Sequence, residues 1–289
     1  MEFPQDFTAR ERALLGARFD ELYAYATPQP ARGVTVNALR CTPEWFAQHA
    51  DFDAKPSPFC PTAFTTAADF RPGRHAWHHA GVLYAQEPSA SAPAALLDVQ
   101  PGMRVADLCA APGGKSFSAA FAMEDQGEIL ACDLHENKLK RIREGAERLG
   151  LACIQTTAAD GRVFRPEWEA TFDVVLVDAP CSGFGIIRKK PDVRYKKPDD
   201  LFALPVIQRA ILDNAARYVR PGGTLVYSTC TILPEENEGV SDSFLAEHPD
   251  FCRTPFSLSG PVGETEGQVT LWPHRHGTDG FYICRMTRN

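Results

Sequence analysis

From about residue 100 onward the chain alternates short apolar runs with longer amphipathic stretches, and that alternation constrains the fold more than any other feature. The apolar runs are Arg104–Leu108, Glu128–Cys132, Ala152–Thr156, Phe172–Val177 and Thr224–Ser228, followed by Val269–Trp272 and Phe281–Met286. Helical spacing fills the intervals near Ser116–Met123, Glu136–Leu149, Leu201–Val219 and Glu235–Glu247, the last stopping before Pro249. Repeated βαβ units of this kind build an α/β domain around a mainly parallel sheet. In a doubly wound sheet, ligands sit beyond the carboxyl ends of the strands. Asp107, Cys109, Asp133, Asp160, Asp178, Cys181 and Cys230 all fall at such ends.

Residues 1–75 read differently. An amphipathic helix is expected over Ala9–Tyr25 and a strand over Gly33–Arg40. Lys55–Pro61 and Arg71–Gly73 have the proline and glycine density of a linker. The expected organisation is a small α+β N-terminal subdomain over 1–75 and a second domain over 76–289.

Apolar residues make up 44% of the chain and charged residues 23%, without a long apolar run or an export signal. A soluble, monomeric protein is the expectation. The nine cysteines contain no C-x-x-C pair, which suits neither zinc nor a disulfide framework and points to a reducing, cytoplasmic setting without a metal. A net charge of -7 argues against non-specific coating of nucleic acid. Locally the balance reverses, since Arg188, Lys189, Lys190, Arg194, Lys196 and Lys197 face a single acid, Asp192.

The loop Asp107-Leu-Cys-Ala-Ala-Pro-Gly-Gly-Lys-Ser116 ends as a phosphate-binding loop does, and Phe172–Asp178 resembles a magnesium-binding strand. Cys109, however, stands where the first glycine belongs, and Pro112 has no N–H to aim at a phosphate. A nucleoside cofactor without a triphosphate fits better. Gly113 and Gly114 permit close approach, and Asp133, at the end of the second strand, can accept from ribose hydroxyls. The loop lacks G-x-G-x-x-G, which weakens the case for NAD. S-adenosylmethionine has a ribose, an adenine near Asp160 and a cationic sulfonium in place of phosphates.

Asp178-Ala-Pro-Cys-Ser-Gly183 and Tyr227-Ser-Thr-Cys230 bring two thiols from neighbouring strand ends to one cleft. Beside a methyl donor, a thiolate solves one problem well: C5 of a pyrimidine becomes nucleophilic once sulfur adds to C6. Lys115 and Asp178 can supply charge and hydrogen bonding at the ring. The residues alone leave open which cysteine attacks.

These three motifs, with Ser228-Thr-Cys-Thr231, resemble the signatures of the Sun/Fmu (NOL1/NOP2/Sun) family of RNA cytosine-C5 methyltransferases. Tyr84-Ala-Gln-Glu-Pro-Ser89, Arg188-Lys-Lys-Pro-Asp-Val-Arg194, Pro234-Glu-Glu-Asn-Glu238 and Pro273-His-Arg-His-Gly-Thr-Asp-Gly-Phe281 extend the resemblance over about residues 30–288. It implies a class I, Rossmann-like methyltransferase fold on a mainly parallel seven-stranded sheet. It further implies that Cys230 attacks C6, that Cys181 assists release of the methylated RNA, and that Lys115 and Asp178 serve both catalysis and cofactor. S-adenosylmethionine would meet Cys109, Ala110, Ala111, Pro112, Gly113, Gly114, Lys115, Asp133, Asp160 and Asp178. Arg188, Lys189, Lys190 and Arg194 would contact RNA, and the N-terminal subdomain would face it.

The similarity is greatest to the catalytic core of bacterial 16S rRNA 5-methylcytosine methyltransferases. The expected partner is therefore rRNA ahead of tRNA, met in the assembling small ribosomal subunit. A readable alternative is a non-catalytic RNA-binding assembly factor that keeps the fold. Because several members carry a further RNA-binding domain, either target choice rests on the first 75 residues or this chain is part of a longer one.

Overall fold

The computed structural model describes residues 4–25, 32–196 and 198–289. Two helices come first, α1 (Gln5–Leu15) and α2 (Arg18–Tyr25). The single helix expected over Ala9–Tyr25 is broken at Gly16, whose φ of 55° is a left-handed conformation that a helix cannot continue through.

A small antiparallel sheet follows, built from β1 (Arg32–Val36), β2 (Ala54–Pro56), β3 (Ala63–Thr66) and β4 (Leu83–Ala85), with α3 (Pro43–His49) and α4 (Ala76–His79) between strands. Its order is β2-β3-β1-β4, so the sheet runs on past residue 75. The strand expected to reach Arg40 stops at Val36. Asn37 turns the chain, its amide donating to the carbonyls of Gly81 and Leu149 at 2.9 Å each. The proline-rich stretch at 55–61 supplies β2, an edge strand where the missing N–H of Pro56 breaks no inner ladder.

The large sheet begins after α5 (Pro88–Ala95). In chain order come β5 (Arg104–Asp107), α6 (Gly114–Ala122), β6 (Glu128–Asp133), α7 (Glu136–Leu149), β7 (Ile154–Ala158), β8 (Phe172–Asp178), α8 (Pro198–Tyr218) and β9 (Val219–Thr229). Then follow α9 (Glu238–Glu247), β10 (Phe251–Arg253), the short pair β11 (Phe256–Leu258) and β12 (Gly263–Thr265), β13 (Gln268–Leu271), α10 (Pro273–His276) and β14 (Phe281–Arg288). The order is β10-β14-β9-β8-β5-β6-β7, with β5 to β9 parallel and β14 antiparallel to β9. The sheet is seven strands wide, as expected, yet uses eight. β13 pairs with the first half of β14, and β10 with its last residues.

Burial explains why these segments take these forms. β8 is apolar almost throughout because helices cover both faces of a central parallel strand. α7 buries Leu139, Ile142, Ala146 and Leu149 along one stripe and ends at Gly150, whose φ is 73°. Burying each such leucine or isoleucine stabilises by roughly 1.5–3 kcal/mol. One core lies on the α5–α7 side of the sheet and a second on the α8–α9 side. A third joins α1 and α2 to Phe184, Ile187, Ile232 and Leu233, in the loops that follow β8 and β9. Strand order reverses between β5 and β8, so the crevice opens beyond their carboxyl ends.

Candidate active site

The loop leaving β5 is fixed by its neighbours. Leu108 N donates to Leu176 O at 3.0 Å and Ala110 N to Cys132 O at 2.7 Å. Gly113 caps α6 with a φ of 108°, and a Cβ there would come within 2.5 Å of the Phe117 ring. Only glycine satisfies both constraints. Asp107 is buried; its Oδ2 accepts from Ser116 Oγ at 2.7 Å, while Oδ1 has no hydrogen-bond partner. Burial pushes its pKa up to about 7.

Lys115 Nζ lies 2.6 Å from Asp178 Oδ2, and Asp178 Oδ1 accepts from Ser228 Oγ at 2.8 Å. Burial alone would depress the Lys115 pKa, but the adjacent Asp178 carboxylate outweighs it and holds the ammonium above its ordinary range. This lysine is already paired, so it is not a spare cation for a phosphate.

Two thiols meet beside that ion pair. Cys181 follows β8, Cys230 follows β9, and their Sγ atoms are 3.2 Å apart. The hydrogen bond between them, with burial, pushes Cys181 well up. The same bond lowers Cys230; burial and Asp178 oppose that shift, while the charges of Lys115 and Lys190 support it. The shifts run in opposite directions, so of the two Cys230 is the more readily ionised and Cys181 the more readily protonated.

A buried polar layer holds both loops. Glu236 Oε2 accepts from Ser182 N and from Gln208 Nε2, each at 2.8 Å, and Gln208 also donates to Pro180 O at 2.9 Å. Ser182 Oγ and Thr231 Oγ1 are 2.7 Å apart, and Asn237 Nδ2 donates to Thr231 O at 3.2 Å. Gly185 N donates to Cys230 O at 3.1 Å, and a Cβ on Gly185 would lie 2.0 Å from Gly280 O. Sequence reasoning missed Gln208 and Gly185 and quoted Glu236 and Asn237 without a role. The available signal for Gln208 was a glutamine on the otherwise apolar face of a helix.

A cleft of ≈ 480 Å³ runs from Asp133 and Asp160 to Cys181 and Cys230, lined also by Cys109, Ala111 and Asp178. A smaller hollow of ≈ 200 Å³ shares Cys109 and Asp178 and adds Ala110, Pro112, Gly114, Lys115 and Asp107. Of the expected cofactor residues, only Gly113 lines neither; it acts as the cap of α6. Asp133 accepts from His135 N at 3.0 Å and pairs with Lys138 at 3.3 Å. Asp160 is gripped by Arg162 at 2.7 Å, and that hydrogen bonding lowers its pKa. Carboxylates at three successive strand ends oppose a triphosphate and suit a cationic ligand with hydroxyls.

The basic stretch divides. Arg188, expected from sequence to contact RNA, turns inward. Its side chain is 4% exposed, within 3.2 Å of the buried Asp279 and bonded to the carbonyl of Thr278. Lys189 Nζ lies 2.6 Å from Asp279 yet stays partly exposed, and Lys190 is exposed. Arg194 donates to Pro191 O at 2.8 Å; Lys196 Nζ donates to Ser182 O at 2.8 Å, beside Cys181. Lys197 lies outside the described residues. Among the described residues no cluster of ligating side chains could hold a metal ion, and no helix is long and apolar enough to cross a membrane.

Residues 94–287 match the family model of the 16S rRNA methyltransferase RsmB/F. The chain belongs to the RsmB/F family of 16S rRNA methyltransferases. Residues 3–88 also match the N-terminal domain of the 16S rRNA methyltransferase RsmF. A probable ribosomal RNA small subunit methyltransferase B of Bacillus subtilis is 45% identical over 216 residues, 72% of this chain and 48% of that protein. Ribosomal RNA small subunit methyltransferase F of Klebsiella pneumoniae is 33% identical over 303 residues, 99% of this chain and 64% of that protein. The chain thus spans about half to two thirds the length of these RsmB/F relatives. A solved methyltransferase homologue from Pyrococcus horikoshii superposes with a TM-score of 0.85 at 28% identity, covering 99% of this chain and 96% of that one. The fold is that of class I methyltransferases, and the RsmB/F cofactor is S-adenosylmethionine. The site fits it: the cleft is of small-molecule size, the Gly113–Gly114 backbone permits close approach, and Asp107 Oδ1 is a buried acceptor without a donor.

Proposed function

We propose that this chain methylates C5 of a cytosine in structured RNA, with 16S rRNA the substrate, through a covalent adduct on Cys230. The observation that carries the proposal is the pair of thiols 3.2 Å apart beside the Lys115–Asp178 ion pair, with the lowered pKa on Cys230. S-adenosylmethionine, held by the Cys109–Lys115 loop with Asp133, Asp160 and Asp178, supplies the methyl group when bound. The Cys230 thiolate adds to C6 of the cytosine, and the electron pair displaced from the C5–C6 bond makes C5 nucleophilic. Once C5 is methylated, loss of its proton re-forms the double bond and returns the electron pair to sulfur. Asp178 meets the exocyclic amine and assists proton removal, while the Lys115 charge balances its carboxylate.

Cys181 assists release. Its raised pKa keeps it protonated near neutrality, so it donates to the departing Cys230 sulfur and stabilises the thiolate. The names of the relatives favour rRNA over tRNA, and the assembling small subunit is the setting in which the cytosine is reachable. Incubation with methyl-labelled S-adenosylmethionine and 16S rRNA should place label in 5-methylcytidine after nuclease digestion, and Cys230→Ala should reduce it to background. Label in another nucleoside, or in tRNA alone, would contradict the proposal.

A further inference from the structure

All nine cysteines are free, and three of them, Cys109, Cys181 and Cys230, line the cleft that runs to Asp133 and Asp160. Cys60, Cys132, Cys153 and Cys284 are buried away from solvent. Within the cleft the three thiols differ. Burial, with Asp107, Asp178 and Asp133 nearby, pushes Cys109 well up, and Cys181 is raised as well. Cys230 is shifted down and partly exposed. Thiolate character together with access is what directs a peroxide to one sulfur among several.

A second sulfur stands where the product of that attack would need it. Cys181 Sγ is 3.2 Å from Cys230 Sγ, and an S–S bond measures about 2.05 Å, so the two atoms need close by only roughly 1 Å. The backbone keeps them adjacent. Asp178 of β8 and Ser228 of β9 are paired just before the two cysteines, and Ser182 Oγ and Thr231 Oγ1 just after them are 2.7 Å apart. The hydrogen bond to Cys230 contributes most to the raised pKa of Cys181, ahead of burial and the Cys230 charge. Oxidation of Cys230 removes that charge and the acceptor with it. The second thiol therefore becomes easier to ionise at the step in which it must attack.

We propose that this pair is an oxidation site, in which a peroxide oxidises Cys230 and Cys181 resolves the product as a reversible Cys181–Cys230 disulfide. The Cys230 sulfur attacks one peroxide oxygen and the O–O bond breaks. The departing hydroxide takes up the proton that Cys230 released on ionising, leaving water and a Cys230 sulfenic acid. The Cys181 sulfur then attacks the Cys230 sulfur, the S–O bond breaks, and the leaving hydroxide takes the Cys181 proton as a second water. The two thiols together lose two electrons, and the peroxide gains them. An external dithiol reverses the bond by exchange. While bridged, Cys230 has no thiolate to add to C6, a consequence that rests on the reading that Cys230 acts on RNA.

The test uses the full chain, reduced with dithiothreitol, freed of it, treated with hydrogen peroxide, blocked with N-ethylmaleimide and mapped by mass spectrometry after proteolysis. A peptide pair joined through Cys181 and Cys230 is expected, and dithiothreitol should return both to maleimide-reactive thiols. In Cys181→Ser, which lacks the resolving sulfur, dimedone should trap Cys230 as the sulfenic acid, and further peroxide should carry it to a sulfinic acid that dithiothreitol does not reverse. Both cysteines staying alkylatable while the exposed Cys252 is oxidised would overturn the site. So would a Cys230 joined to Cys109, or a wild-type Cys230 found as sulfinic acid with Cys181 free. Methylation of 16S rRNA separates the two readings, and it should fall to background in the joined chain and return with dithiothreitol. If the joined pair forms but the reduced chain makes no 5-methylcytidine, only the catalytic reading falls. If the reduced chain methylates and no joined pair forms, only the oxidation site falls.

Discussion

At the scale of single residues, the proposed chemistry turns on which of two adjacent thiols is the more readily ionised. Cys181 and Cys230 share one hydrogen bond, and a thiolate that accepts it is stabilised while the donor is held protonated. Removing the donor by Cys181→Ala should therefore raise the Cys230 pKa. The pH dependence of iodoacetamide alkylation at Cys230 checks this: its midpoint should move to higher pH in the variant, and one that stayed or fell would show that Lys115 and Lys190 set the ionisation alone. The opposed shifts of the two thiols were not readable from the sequence, because they depend on a contact between residues 49 positions apart. Lys115 was only half readable. Its loop suggested a phosphate ligand, and only the fold brings Asp178 within 2.6 Å to claim it.

At the scale of elements, parallel strands deliver reactive residues to one edge, which is why Asp107, Asp133, Asp178, Cys181 and Cys230 could be grouped from periodicity. What periodicity does not reveal is the layer behind them. Glu236 is buried and accepts from both the Cys181 loop and Gln208 of α8. Glu236→Ala would leave the Ser182 N–H and the Gln208 amide without this acceptor, at about 1–3 kcal/mol for each group so stranded. A thermal melt should show a lowered Tm, and the alkylation profile of Cys230 should shift with it as Cys181 loses its position. A variant with wild-type Tm and an unshifted profile would contradict the positioning role. Element boundaries drifted where side chains leave the regular pattern to make such bonds. Asn37 ended β1 early, and the helix expected from Glu235 begins at Glu238 because Glu236 and Asn237, in the 234–237 turn, bond to the loops that carry Cys181 and Cys230.

At the scale of the molecule, three packed units converge on one place. The large sheet supplies the strand ends, and the small sheet leads through β4 to Gln86 and Glu87 at the edge of the smaller hollow. Helices α1 and α2 press Phe7, Phe19 and Tyr23 into the core with Phe184 and Ile232, directly behind the two cysteine loops. The N-terminal region was expected from sequence to face RNA; its helices pack against the loops that carry Cys181 and Cys230. That packing and the inward turn of Arg188 toward Asp279 join residues some ninety to two hundred positions apart, beyond the reach of local pattern. The loops that carry Cys181 and Cys230 are thus packed from behind by the N-terminal helices. The most direct measurement of this account traps the adduct. Cys181→Ala incubated with 16S rRNA and S-adenosylmethionine, then digested with nuclease and protease, should yield a peptide carrying a methylated cytidine on Cys230 by mass spectrometry. A nucleotide attached to any other residue, or methylated RNA formed with no adduct under denaturing conditions, would contradict it.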